Sequence, residues 1–269
     1  MNIKKHCKEI DENGYTIIEN FFNKSKLTKI KNSLLEMLNY IENSKEKDLQ
    51  KKYYEIKKNK PKLKSNFYDL APHNIDMLQS IHSHDMIKLV KKYFKTNVVL
   101  SGRPAIHIHD DQNDKLLLPH QETNQYSVNI LLFWLPLWDT NVKTGGLTVY
   151  EKSHKYGYFE HTLQHPKLKK KLWTKKYTHV DSKIYKRFKR KNLSIEAGSA
   201  VIAHSALLHC GYPNKSKKTV RIVVTERFNP LKKLPFLQDE KASMKIPYTG
   251  VDYNLIKDYY KADYLEEDI

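Results

Sequence analysis

The sequence predicts a mainly β fold of the α+β class, a jelly roll with helices at its N-terminus and flanks. Three observations predict it. From Asn97 onward the chain breaks into about eight short apolar or alternating runs punctuated by Gly, Pro, Asn and Asp. The first hundred residues instead carry apolar positions at helical spacing. The length, 269 residues, suits one β-rich domain with insertions.

The opening stretch, Met1 to Glu12, is polar, with Lys4, Lys5, Lys8, Glu9, Asp11 and Glu12 and no apolar core, so no secretory signal is expected in it. Leu27, Ile30, Leu34, Leu35 and Leu38 then recur at helical spacing, with Ser25 as the expected N-cap. Glu42 to Lys64 is dominated by charge and broken by Pro61, and reads as a solvated helix end and loop. Ile75 to Phe94 supplies two further apolar-periodic stretches.

The expected strands are Val98 to Ser101, Ala105 to His109, Ser127 to Leu137, Gly146 to Tyr150, Leu193 to Ile195, Ala200 to Ala203, Leu207 to Cys210 and Val220 to Phe228. The expected organisation is a single domain over 1–269. A mostly helical part, about 1–95, packs on a core at 97–230, which carries a basic insertion at about 155–192. Residues 231–269 form a C-terminal extension rich in tyrosine. No internal repeat is visible.

Charge and cysteine content bound the function. The formal net charge is +18, which raises the question of nucleic acid, because clustered Lys and Arg neutralise phosphates. Here lysine is spread along the whole chain among Asp and Glu, and no compact recognition motif accompanies it, so the charge speaks of solubility and steering. A nucleic-acid-directed protein stays the minor alternative. Within the insertion, Lys167 to Lys191 interleaves cations with Trp173, Tyr177, Tyr185 and Phe188. That mixture suits a phosphorylated or carboxylated small molecule, and equally an amphipathic surface with inward aromatics. Cys7 and Cys210 form neither a disulfide framework nor a metal motif. The longest apolar run, Ile130 to Trp138, is about half of a membrane-spanning helix, so no membrane contact and a cytoplasmic location are expected.

The chemistry is concentrated at Leu118-Pro119-His120-Gln121-Glu122. On an extended strand, residues two apart share a face, so His120 and Glu122 can offer an imidazole and a carboxylate to one metal ion while Gln121 points away. A second imidazole from a distant strand completes a two-histidine, one-carboxylate face with three adjacent positions open. His209 supplies it; His204 has the opposite strand parity and a longer gap to Arg221. Arg221, on the following strand, suits a carboxylate because a guanidinium binds both oxygens in parallel and stays charged. It is the expected anchor for the distal carboxylate of a 2-oxo diacid.

Taken in order, His120-Gln121-Glu122, Trp134 to Asp139, Gly145 to Val149, Ser153 to Gly157, Ala197 to Val201, His209, Asn214 to Ser216 and Arg221 resemble the phytanoyl-CoA dioxygenase family. The opening Asn13 to Phe21 looks like that family's first strand, against the helical reading of this region. The resemblance covers residues from about 10 to 230. It implies a double-stranded β-helix, iron(II) and 2-oxoglutarate as cofactors, and O2-dependent hydroxylation of a small-molecule substrate with release of succinate and CO2.

It also implies that Trp134 lies beside the cosubstrate and that His154 is structural. By position, Asn129 is expected near the cosubstrate and Tyr126 near the substrate. His107 and His109, which alternate on a strand just before the motif, are expected at the pocket as substrate contacts. The family's usual carboxylate is Asp, whereas this chain has Glu122, one methylene longer. Glutamate keeps the charge and the oxygen donor, and it argues against a halogenating variant, which needs a small residue there. The departure leaves open a second reading, a non-catalytic metal- or ligand-binding protein on the same fold.

Overall fold

The structure, a computed structural model, describes residues 1–61, 63–101, 104–110, 118–122, 130–159, 161–162, 179–217 and 219–230. Helix α1, Ile3–Asn13, is capped by the Asn2 side chain and ends at Gly14, whose φ of 88° is open to glycine at little strain. A Cβ at Gly14 would also strike the His154 ring and Leu207. Strand β1, Tyr15–Ile18, follows at once. The early strand implied by the family resemblance is therefore present, and the purely helical reading of this stretch is corrected. Helix α2, Lys24–Glu42, buries Leu27, Ile30, Leu34, Leu35 and Leu38. Its cap is Asn23, whose side chain accepts from Lys26 N at 2.9 Å, in place of the expected Ser25, which lies inside the first turn.

The charged stretch after it is not the expected loop. Leu49–Asn59 forms helix α3, because Leu49, Tyr53 and Ile56 fall on one face and are buried. Even Lys52 is buried there, ion-paired with Glu42. Helices α4, Leu63–Leu70, α5, Ile75–Ile81, and α6, His84–Phe94, complete the helical layer.

Strands β2, Val99–Ser101, β3, Ala105–His109, and β4, Leu131–Pro136, open the β core. Next come β5, Gly146–Tyr150, the two-residue strands β6, His161–Thr162, and β7, His179–Val180, and one helical turn, α7, Ser182–Tyr185. Strands β8, Arg190–Leu193, β9, Ala200–His204, β10, His209–Tyr212, and β11, Arg221–Pro230, follow. All named pairings are antiparallel. One sheet runs β1-β9-β4-β11-β2 with β3 also on β11; a second runs β10-β5-β8; β6 and β7 form a separate ribbon.

Two strands sit off their expected places. The strand expected at Leu193 to Ile195 lies earlier, because Arg190, Lys191 and Asn192 are exposed along a sheet edge, a usual place for charged strand residues. The strand expected at Leu207 to Cys210 starts at His209, since Leu207 N closes a turn on His204 O at 2.9 Å.

The larger sheet separates two apolar layers. Leu131, Phe133, Leu135, Ile202, Ile222, Val224 and Phe228 pack with Leu34, Leu38, Ile56, Met77 and Leu89 of the helices. The alternate residues Leu132, Trp134, Val201, Ala203 and Val223 pack with Leu147, Val149 and Leu193 of the smaller sheet. Helices on one face and a second sheet on the other make this the expected jelly roll, with the functional pocket between the sheets. No helix among the described residues is long and apolar enough to cross a membrane.

Candidate metal centre and cosubstrate pocket

The proposed metal-binding residues meet through the backbone before their side chains do. His120 N donates to His209 O and His209 N to His120 O, both at 3.0 Å, a single antiparallel bridge where an extended strand was expected. Glu122 N donates to Ser205 O at 3.1 Å, which holds the second half of the motif to the turn before β10. Gln121 points away as strand parity requires: its amide donates to Gly157 O and Ala206 O, and its carbonyl accepts from Phe159 N.

The side chains converge on one point. His120 Nδ1 lies 2.7 Å from Leu118 O, and His209 Nδ1 lies 2.9 Å from Leu207 O. A carbonyl can only accept, so each Nδ1 carries a proton and Nε2 is the nitrogen that each ring would offer to a metal ion. Both Nε2 atoms face Glu122 Oε1, at 4.0 Å from His120 and 3.3 Å from His209. One donor atom from each residue falls within 4.8 Å of the others, and all three residues are buried. Among the described residues this is the only such grouping. Two imidazoles turned by their Nδ1 hydrogen bonds, with a carboxylate between them, fit a divalent first-row metal ion.

Burial by itself would raise the Glu122 carboxyl, yet the Arg227 guanidinium, followed by His209 and His120, holds it far below the ordinary carboxylate range. Glu122 is thus an anion, ready to act as a ligand. Arg227 Nε donates to its other oxygen, Oε2, at 3.1 Å.

Arg221 lines the same pocket further along β11. Its Nη1 donates to Tyr212 O at 3.0 Å and Gly146 O at 3.2 Å, while its buried Nε has no hydrogen-bond partner among the described residues. Burial pushes the guanidinium down to about 10, so it remains charged at neutral pH. Gly145, at a φ of 74°, makes room for it: a Cβ there would stand 2.7 Å from Arg221 Nη1. A buried cation with an unsatisfied N–H is what a carboxylate ligand would complete.

Trp134, His107 and His109 also line the pocket. Burial, and then the Arg227 guanidinium, push His107 down to about 4, so it is a neutral donor or acceptor at physiological pH. His204 falls on the opposite face of β9, against Tyr93 and His154, and takes no part. His154 is structural: its Nε2 lies 3.0 Å from Asp11 O, and the neighbouring Ser153 hydroxyl accepts from Leu208 N. The expected places of Asn129 and Tyr126, and most of the basic insertion, lie outside the described residues.

Arg227 and Thr225 were not among the expected pocket residues. The signal for both was present, because the period-two rule that turns Arg221 inward also turns Val223, Thr225 and Arg227 inward.

The sequence matches the family described as phytanoyl-CoA dioxygenase over residues 10–223. No curated protein matches it significantly. Several solved structures share the fold. The non-heme alpha ketoglutarate dependent epimerase SnoN from nogalamycin biosynthesis, in complex with Fe3+, alpha ketoglutarate and nogalamycin RO, is 12% identical; the alignment covers 93% of this chain and 92% of that one, with a TM-score of 0.55. The carbocyclase SnoK from the same biosynthesis is 16% identical over 84% and 83%, with a TM-score of 0.53. AviO1 from Streptomyces viridochromogenes Tue57 is 10% identical over 87% and 97%, with a TM-score of 0.57. At these identities the likeness is one of fold.

Proposed function

This chain belongs to the phytanoyl-CoA dioxygenase family, and on that premise we propose that it is an iron(II)- and 2-oxoglutarate-dependent dioxygenase that hydroxylates a small-molecule substrate, with release of succinate and CO2. One observation carries the reading: His120, Glu122 and His209 aim three donors at one buried point of the pocket that Arg221 also lines. Iron(II) bound there supplies O2 activation coupled to oxidative decarboxylation of 2-oxoglutarate, and thereby oxidation of a C–H bond.

The chain's own residues bind, orient and exclude. His120 and His209 keep Nε2 turned inward because Leu118 O and Leu207 O hold their Nδ1 protons. Arg221 takes the distal carboxylate of 2-oxoglutarate, and its open Nε–H is one of the donors offered. Trp134, Leu132 and Leu147 wall the cavity with apolar surface and keep water from the reacting centre. His107, as an uncharged polar group, and His109 contact substrate, a role also assigned to Tyr126, and Asn129 assists at the cosubstrate. The chain acts as one domain, and its basic insertion favours an anionic substrate.

The test is direct. Anaerobic addition of iron(II) and then 2-oxoglutarate is expected to develop a weak visible charge-transfer band. In air, 2-oxoglutarate consumption should vanish in His120→Ala, and full activity in that variant sinks the assignment. A product that gains one oxygen atom marks hydroxylation, whereas succinate formation with no oxygen gained marks stereoinversion or ring closure. Glu122 in place of the family's Asp favours one other reading, a non-catalytic ligand-binding protein. Ligand uptake without the band and without succinate is its signature.

A further inference from the structure

We propose that Arg227 is a positioning residue that ties back one oxygen of Glu122, so that the longer glutamate offers the metal a single oxygen, as a shorter carboxylate would. The inference rests on the metal reading above and deepens it. A glutamate has one more rotatable bond than an aspartate and two equivalent oxygens. Left to swing, it can present both oxygens to an ion and fill a position that a chelating cosubstrate or O2 needs.

The observed contacts prevent that swing. Arg227 Nε donates to Oε2 at 3.1 Å, and only Oε1 is turned to the two imidazoles. Arg227 is itself held: its Nη1 donates to Thr225 Oγ1 at 2.8 Å, and the Thr225 hydroxyl donates to Ala105 O at 3.3 Å. The ligand carboxylate is thereby tied through two side chains to the backbone of β3. Both side chains are buried, and both lie on the pocket face of β11. Such supporting contacts orient ligands and change metal affinity when they are removed.

The decisive feature of the test is its sign. Removing a cation from beside a divalent ion tightens binding by Coulomb's law alone, whereas removing an orienting contact weakens it. Cobalt(II) is titrated calorimetrically into the metal-free full chain. Arg227→Gln is expected to bind it about 10- to 100-fold more weakly. Thr225→Val keeps the guanidinium but removes its anchor, and a loss of about 3- to 10-fold is expected.

In a Glu122→Ala background, where no carboxylate remains to orient, Arg227→Gln should add no further loss. Equal or tighter binding by Arg227→Gln, or an undiminished loss in the Glu122→Ala background, overturns the proposal. Should Arg227→Gln fail to fold, unchanged affinity in Thr225→Val overturns it instead. The two readings fail separately. Wild-type chain that takes up no cobalt(II) overturns both, and wild-type chain that binds it while Arg227→Gln binds equally overturns this one alone.

Discussion

Strand β11 has two faces, both buried, composed of different kinds of residue. Toward the pocket it turns Arg221, Val223, Thr225 and Arg227; toward the helices it turns Ile222, Val224, Glu226 and Phe228. The pocket face holds two guanidinium groups that burial penalises, and the helix face is largely hydrocarbon. Burial therefore does not separate function from stability in this molecule, whereas the kind of group buried does. The exception on the helix face follows the rule for buried charge: Glu226 accepts from Ser101 Oγ at 2.7 Å and Arg227 N at 2.6 Å, and lies 2.9 Å from His82 Nε2.

The division predicts that pocket substitutions abolish chemistry and spare the fold, while helix-face substitutions do the reverse. The largest effect is expected for His209→Ala, which should reduce 2-oxoglutarate turnover to background while the melting temperature of the metal-free protein stays level or rises. A large drop in that melting temperature would place His209 among the stabilising residues and dissolve the division. Next comes Phe228→Ala, fully buried against the helices. Denaturant titration should show a loss of about 3–5 kcal/mol, with cobalt(II) affinity of the folded protein unchanged.

Arg221→Gln should cost about 1.5–3 kcal/mol of cosubstrate binding, read as a raised KM for 2-oxoglutarate with metal affinity intact. A fall in metal affinity would show that Arg221 serves the metal site and not the cosubstrate. The smallest effect concerns pH. Burial pushes His204, on the helix side of β9, down to about 4, and its Nδ1 accepts from Ala206 N at 3.0 Å, so the folded state holds it neutral. Between about 6.5 and 4 the unfolded chain binds the extra proton, so stability present above that window is lost as pH falls through it. The loss should be on the order of 1–3 kcal/mol. His204→Asn, which keeps an acceptor but does not titrate, should flatten that slope in urea titrations at several pH values.

Much of this was legible in the residues. Alternating strands, the helical repeat from Leu27 to Leu38 and the ordered motifs around His120, His209 and Arg221 carry the fold and the candidate metal site, because each is a local pattern with a periodic meaning. Helix α3 was not legible, since its lysines are as many as its apolar residues and only the spacing of Leu49, Tyr53 and Ile56 marks its inner face. Strand β8 was hidden for a related reason: its pairing with β5 comes from tertiary contact, and Arg190, Lys191 and Asn192 read locally as surface. Arg227 belongs to a third kind. Its parity was visible, but its partner Glu122 lies far away along the chain, and only folding brings them together.

The reciprocal hydrogen bonds between His120 and His209 also say something about how this chain can change. They act as a clasp that closes the intervening segment into a loop anchored at the metal site. The entropy of closing a loop grows only logarithmically, by about 0.6 kcal/mol for each doubling of length. Material can thus be added between the clasped ends with little change in the stability of the candidate site. The metal centre is insulated from the length of what hangs on it, which leaves the intervening loops free to vary with substrate while the chemistry stays in place.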